Sequence, residues 1–320
     1  MNKILVTGAN GFIGSKVCEK LNLKNYFVIE VIRNNLTLNK IEKKKIAQVK
    51  NIDKNTDWLE ILNDIDCIIH CAGIAQVLSN KDSNVIHDYR KINTEGTRAL
   101  AEQAVKAGVK RLIFLSSIKV NGEKNLNHKK PFRHDDLSCP IDPYAISKWD
   151  AEKYLHEISK EHGLEIVIIR PPLVYGPEVK GNFLRLIKLS SNKIPLPFSK
   201  IKNLRSFIGL DNLADFIIHC INHPAAPGKV FLVSDGEDIS TPDLIKKISF
   251  IMGKSKLFLD IPVFILKLIF FIFGRSKEFE SLTGSMRVDT SNAFKVLGWK
   301  PKNDLDYGLR KTIKWYLNKK

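Results

Sequence analysis

The chain is poor in the residues that staple or span. Of its 320 residues only 5 are cysteine and 3 methionine. Cys18, Cys67, Cys71, Cys139 and Cys220 form no CxxC pair, and their number is odd. That excludes a disulfide framework and a cysteine-based zinc site, and fits reduced thiols. Long apolar runs are also missing. The greasiest, 261–273, is broken by Lys267 and falls short of the roughly 20 residues that cross a bilayer. It reads first as a buried or interface helix and otherwise as one lying on a membrane surface. No internal repeat or low-complexity linker occurs. The chain begins directly with an apolar strand, which predicts no secretory leader and a cytoplasmic protein. Acid is scarce relative to base, 34 Asp+Glu against 51 Lys+Arg, for a net charge of +17. The lysines are spread along the chain and no recognition motif goes with them, so nucleic-acid binding is not expected. A solvated basic surface that draws anionic small molecules is.

What is present is a regular alternation. Lys3–Thr7, Tyr26–Ile32, Cys67–His70, Arg111–Leu115 and Glu165–Arg170 read as strands, separated by helical patterns such as Phe12–Leu23. Strands alternating with helices predict an α/β fold, a Rossmann-like doubly wound parallel sheet. Beyond Pro177 the pattern loosens. Helices are expected near Asn182–Ser191, Asp211–Asn222, Thr241–Met252 and Asp304–Asn318, forming a smaller mixed lobe over the carboxyl ends of the sheet. The expected division is a dinucleotide-binding domain at 1–176, with a returning segment near 205–235, and a substrate lobe at 177–204 and 236–320.

Residues 7–14 read TGANGFIG. Gly8, Gly11 and Gly14 follow a strand and open a helix, where glycine permits a tight turn and close approach of a pyrophosphate to the helix N-terminus. The second strand ends Ile32-Arg33-Asn34-Asn35, without the acid that often binds the adenosine ribose. Arg33 could instead pair with a 2′-phosphate, which favours NADP over NAD.

Tyr144 and Lys148, four apart on a helical pattern, project from one face. A nearby ammonium favours the phenolate and lowers the tyrosine pKa from about 10. Ser117 follows the strand Arg111–Leu115, where its hydroxyl could reach a substrate oxygen. Asn93, at the start of an expected helix, reads either as a helix cap or as an amide that orients Lys148 through water or backbone. His219 and His223, four apart, read as structural, and no metal site is expected. His70 reads as a packing and loop-shaping residue.

In order along the chain stand TGANGFIG (7–14), HCAG (70–73), INTEGT (92–97), LSSIKVNG (115–122), YAISK (144–148), RPPLVYGP (170–177), RSFIGLDNLAD (205–215) and LGWKP (297–301). This set resembles the extended short-chain dehydrogenases, the NAD-dependent epimerase/dehydratase family, over nearly the whole chain. The resemblance implies a Ser–Tyr–Lys triad at Ser117, Tyr144 and Lys148, supported by Asn93. It implies cofactor contacts at Gly8, Asn10, Gly11, Phe12, Ile13, Gly14, Arg33, Ala72, Gly73 and Pro171, besides Tyr144 and Lys148. It implies nucleotide-sugar contacts at Ser117, Lys119, Asn182, Arg205 and, in SMRVD (285–289), Arg287. It also implies a homodimer built on helices around Glu95–Lys106 and Tyr144–Ile158.

The family's dehydratases carry an Asp-Glu pair where this chain has Ile118 and Lys119, which argues against water elimination. SSIKVNGE, RSFIGLDNLADFI and VSDGEDIST (233–241) are most similar to bacterial 4-keto-reductases. The expected activity is therefore reduction of a UDP-4-keto-6-deoxy-N-acetylhexosamine at C4, for surface polysaccharide. The alternative is 4-epimerisation of UDP-glucose or UDP-N-acetylglucosamine. A non-catalytic NADP-binding regulator is disfavoured because the Tyr–Lys pair is kept.

Overall fold

The structure, a computed structural model, describes residues 3–33, 45–75, 84–123, 125 and 130–319. Asn34 and Asn35 lie outside the described residues. Among the described residues ten strands occur: β1 Lys3–Thr7, β2 Phe27–Arg33, β3 Lys45–Val49, β4 Cys67–His70, β5 Arg111–Leu115, β6 Glu165–Arg170, β7 Leu173–Tyr175, β8 Arg205–Gly209, β9 Lys229–Leu232 and β10 Asp238–Ile239.

Seven form one sheet in the order β3-β2-β1-β4-β5-β6-β9, with every pairing parallel. Strands β4 and β5 are buried at every position, as continuous apolar runs must be when helices cover both faces. Helices Phe12–Leu23 and Leu210–Asn222 pack on one face through Val17, Leu21, Leu213 and Ile217. Helices Gly96–Lys106 and Pro143–His162 pack on the other through Leu100, Ala104, Ala151 and Leu155. The chain leaves β1 toward β2 and β3 on one side and returns to β4 on the other. This reversal opens a crevice beyond the carboxyl ends of β1 and β4, where such folds bind ligands.

A smaller sheet, β10-β8-β7, pairs β8 antiparallel with β10 and parallel with β7. Its core is Tyr175, Phe183, Phe207, Leu305 and Leu309. The segment 205–235 is divided: β8 joins the small sheet, while the helix after it and β9 belong to the large one.

Two local expectations are corrected. Asn93 does not begin a helix. It lies in a π-helical turn, Arg90–Glu95, that runs on into Gly96–Lys106. The apolar stretch forms the helix Val263–Ile272, but it is not a buried helix: Leu266 is its buried residue.

Candidate active site

The glycine loop meets the steric demands of a pyrophosphate cradle. Gly8 has φ +67, and a Cβ there would lie 2.9 Å from the Ala72 backbone. A Cβ on Gly14 would lie 2.2 Å from the Gly8 carbonyl oxygen. The glycines thus let β1, the helix and the β4 loop meet. The helix Phe12–Leu23 starts at Gly11 without a side-chain cap, and its first-turn N–H groups have no partner within the helix. Asn10 is exposed beside them. These residues fit a dinucleotide at its phosphates. Arg33 is the last residue of β2 and is exposed.

The loop is tied to the sheet by one chain of hydrogen bonds. Ala72 N–H donates to Thr7 Oγ1 at 3.2 Å, and Thr7 Oγ1 lies 2.6 Å from His70 Nδ1. His70 Nε2 lies 3.0 Å from Thr97 Oγ1, which donates to the Asn93 carbonyl at 2.7 Å. Each hydroxyl has one proton, so the direction is settled: Thr7 donates to Nδ1 and Nε2–H donates to Thr97. Burial, with the Lys148 charge adding, pulls the His70 pKa down to about 3. His70 is therefore neutral and shapes the loop, as its position in the sequence suggests.

Asn93 turns its side chain inward. Its Oδ1 accepts from Ile74 N–H at 2.9 Å, and its Nδ2 donates to the Ile74 carbonyl and to Ser147 Oγ, both at 3.0 Å. It clasps the loop after Gly73 to the helix that bears Tyr144 and Lys148. A Cβ on Gly73 would lie 3.0 Å from Asn93 Oδ1 and 3.2 Å from Lys148 Nζ. The backbone that Asn93 contacts is that of Ile74, and its contact toward Lys148 stops at the hydroxyl of the preceding residue, Ser147.

Ser117, Tyr144 and Lys148 come together at the carboxyl end of β5. Ser117 is the extended residue before a 3-10 turn, Ile118–Val120. Pro171 holds this turn from β6, its carbonyl accepting from Ile118 N–H at 3.0 Å. Pro143 begins the helix, capped by Asp142, whose Oδ1 accepts from Ala145 N–H at 2.8 Å. Lys148 is buried. It donates to the Leu115 carbonyl at 2.9 Å and lies 4.5 Å from the Phe114 ring centroid. Burial pulls its pKa down to about 8. Burial also pushes Tyr144 up to about 12, against a hydrogen bond with Ser117 that lowers it. The predicted depression of Tyr144 by Lys148 is thus absent from this geometry. Burial raises the Tyr144 pKa instead, and Ser117 is the group that favours the phenolate.

Several residues here were not singled out by the sequence. Tyr89 packs on Tyr144 with ring centroids 5.9 Å apart. Glu152 and Arg170 form a buried pair under the triad: Arg170 Nε donates to both Glu152 oxygens, at 2.9 and 3.2 Å, and Glu152 also accepts from Ser116 Oγ. Spacing gives one signal, since Glu152 falls one turn beyond Lys148 on the same helix face.

The expected sugar-nucleotide residues are more scattered. Lys119 Nζ pairs with Asp142 at 2.5 Å, beside Tyr144. Arg205 donates to the Ser281 carbonyl at 2.5 Å, and Arg287 pairs with Asp238 at 2.6 Å. Arg205 bridges to Met286, so the two arginines lie on adjacent segments of the small lobe. Asn182 is exposed in the first turn of Gly181–Ser191. No group of three potential metal ligands occurs among the described residues.

Residues 4–234 match the NAD dependent epimerase/dehydratase family. The chain belongs to this family. The family member is 42% identical over 316 residues to a UDP-glucose 4-epimerase of Vibrio cholerae, covering 98% of this chain and 95% of that one. It is 26% identical over 262 residues to an N-acetyl-α-D-glucosaminyl-diphospho-ditrans,octacis-undecaprenol 4-epimerase of Escherichia coli O157:H7, covering 79% of this chain and 73% of the other. Among solved structures, it is similar to a UDP-glucuronic acid 4-epimerase from Bacillus cereus in complex with NAD. There the TM-score is 0.78 at 25% identity, covering 99% of each chain.

Proposed function

We propose that this epimerase/dehydratase family member is a UDP-hexose or UDP-N-acetylhexosamine 4-epimerase with NAD as its resident cofactor. The near full-length similarity to the Vibrio cholerae UDP-glucose 4-epimerase carries this reading, and it ranks epimerisation above the C4 reduction expected from local motifs. NAD takes precedence over NADP on similar ground: the similar Bacillus cereus structure holds NAD. When bound, the nicotinamide supplies a reversible hydride acceptor for sugar C4.

The chain's own residues do the rest. Gly8, Asn10, Gly11, Phe12, Ile13 and Gly14 would hold the phosphates, and Ala72, Gly73 and Pro171 would line the nicotinamide end. Tyr144 takes the proton of the C4 hydroxyl and later returns it, and Ser117 hydrogen-bonds that oxygen while its charge changes. Lys148 keeps a cation beneath both. Arg205 and Arg287 offer their charge to the diphosphate, and Asn182 offers an exposed amide. Elimination of water lacks its acid–base pair, since Lys119 is held by Asp142. We place the dimer contact on the paired helices Gly96–Lys106 and Pro143–His162.

The test is to incubate the protein with UDP-glucose or UDP-N-acetylglucosamine, without added reductant, and follow the C4 epimer by NMR. Epimer formation is expected. Consumption of NADPH by a UDP-4-keto-6-deoxy-N-acetylhexosamine, with no epimer formed from either sugar, would overturn the reading in favour of a reductase. Arg33→Ala should leave NAD binding nearly unchanged. A selective loss of NADP affinity over NAD would restore the 2′-phosphate reading.

A further inference from the structure

The helix Val263–Ile272 presents its greasiest face to solvent. Phe264 is 72% exposed, Leu268 57%, Phe271 70% and Ile272 69%. These stand at i, i+4, i+7 and i+8, one face of a helix. At roughly 100° per residue they lie opposite Leu266 and Phe270, which anchor the helix to the lobe core with Phe279 and Leu196. The exposed stripe therefore points straight away from the body. A stripe of this kind marks a contact surface, since isolated exposed apolar residues need no explanation and contiguous ones do.

The charges around it choose the occupant. Lys267 lies on the flank of the apolar stripe, at the level where a long basic side chain reaches a polar boundary. Arg275 and Lys277 follow the helix, both exposed, and from 261 to 277 no acid occurs. Asp260, before it, is taken up by Lys200 at 2.7 Å. The whole chain carries +17. A second copy on this face would set Lys267, Arg275 and Lys277 against the same residues around a two-fold axis, which like charges oppose. An anionic bilayer meets both features: acyl chains for the stripe and headgroup phosphates for its basic flank. No helix among the described residues is long and apolar enough to cross a membrane. At about 15 Å this one is half a bilayer's hydrocarbon thickness and can only lie along the surface.

We propose that the helix Val263–Ile272 docks the protein on an anionic phospholipid surface, its apolar stripe among the acyl chains and Lys267, Arg275 and Lys277 at the headgroups. The helix Ser276–Thr283 follows directly, and its Ser281 carbonyl holds Arg205. Docking thus brings the proposed diphosphate site close to the membrane.

The test is cosedimentation of the full chain with vesicles of phosphatidylcholine alone or with phosphatidylglycerol. Binding to the anionic vesicles, weakened by salt, is expected. The triple variant Phe264→Ser, Leu268→Ser, Phe271→Ser should lose that binding by more than about a hundredfold. It should keep the wild-type circular dichroism and its activity on a UDP-sugar in solution. Lys267→Glu should weaken binding to the anionic vesicles alone. Failure of the wild type to sediment with either vesicle overturns the proposal. So does a concentration-dependent dimer in sedimentation velocity that the triple variant abolishes, since that assigns the face to a second copy. Vesicle binding is read without turnover, so its outcome is independent of which sugar reaction the site performs.

Discussion

Nη2 of Arg170 lies 2.5 Å from Oε2 of Glu152, with both side chains buried beneath the carboxyl end of β5. Arg170 also donates to Asn121 Oδ1 at 2.9 Å and Ser138 Oγ at 3.1 Å, and its guanidinium lies 5.6 Å from the Trp149 ring centroid. Removing one partner of such a pair leaves an uncompensated charge in the core. Arg170→Met should therefore cost about 3–5 kcal/mol in urea unfolding, and the double change with Glu152→Gln should recover much of it. A single-variant cost below about 1 kcal/mol would show that water reaches the pair.

Tyr144→Phe removes the proposed proton carrier and leaves the ring packed on Tyr89. Turnover should fall by about 10²–10⁴-fold while NAD binding, followed by fluorescence, is retained. Ser117→Ala should lower turnover as well, and its pH profile should shift upward, because the Ser117 hydrogen bond is what lowers the Tyr144 pKa in this geometry. An unshifted profile would assign that lowering to another group.

Gly14→Ala would place a methyl carbon 2.2 Å from a backbone oxygen that has no rotamer to yield. The helix must move off β1, and the phosphate cradle with it. NAD affinity should drop by about tenfold or more, read by isothermal calorimetry.

His70 gives a pH prediction with a definite sign. Its folded pKa, about 3, lies below the ordinary 6.5, so the unfolded chain binds the proton first on acidification. Its contribution to stability is complete above pH 6.5 and is lost as the pH falls toward 3. Between pH 7 and pH 4 the stability advantage of the wild type over His70→Gln should shrink by about 3 kcal/mol in denaturant titrations. A constant difference would mean that His70 takes up its proton equally in the folded and the unfolded protein.

The parallel core was legible because β4, β5 and β6 carry continuous apolar runs, with their charged or polar residues only at the ends, and are punctuated by glycine and proline. Residues 67–70, 111–115 and 165–170 are strands in both the sequence reading and the structure. The edge strand β3, with Lys45 and Gln48, lacks that signal, and β7, β8 and β10 are too short to show a period. The triad and the glycine loop were legible because their chemistry demands fixed residues at fixed spacing. The Thr7–His70–Thr97–Asn93 chain was not. Its members are drawn from four elements that only the closed fold sets side by side. Nor was the exposure of Val263–Ile272, since apolar composition cannot say which side of a helix has neighbours.

The π-helical turn at Arg90–Glu95 has a consequence for editing the chain. Such a turn holds one residue more than an α-helical turn needs. Deleting a single residue there would heal the helix into a regular spiral rather than break it. The flanking helices would keep nearly the same phase, because the wider turn spends its extra residue at a smaller angle per residue, and only the residues inside the turn would shift by one position. The surplus residue works as a shim: it sets the angular phase at which Asn93 faces the loop after Gly73, and a shortened, better-formed helix would point that amide elsewhere.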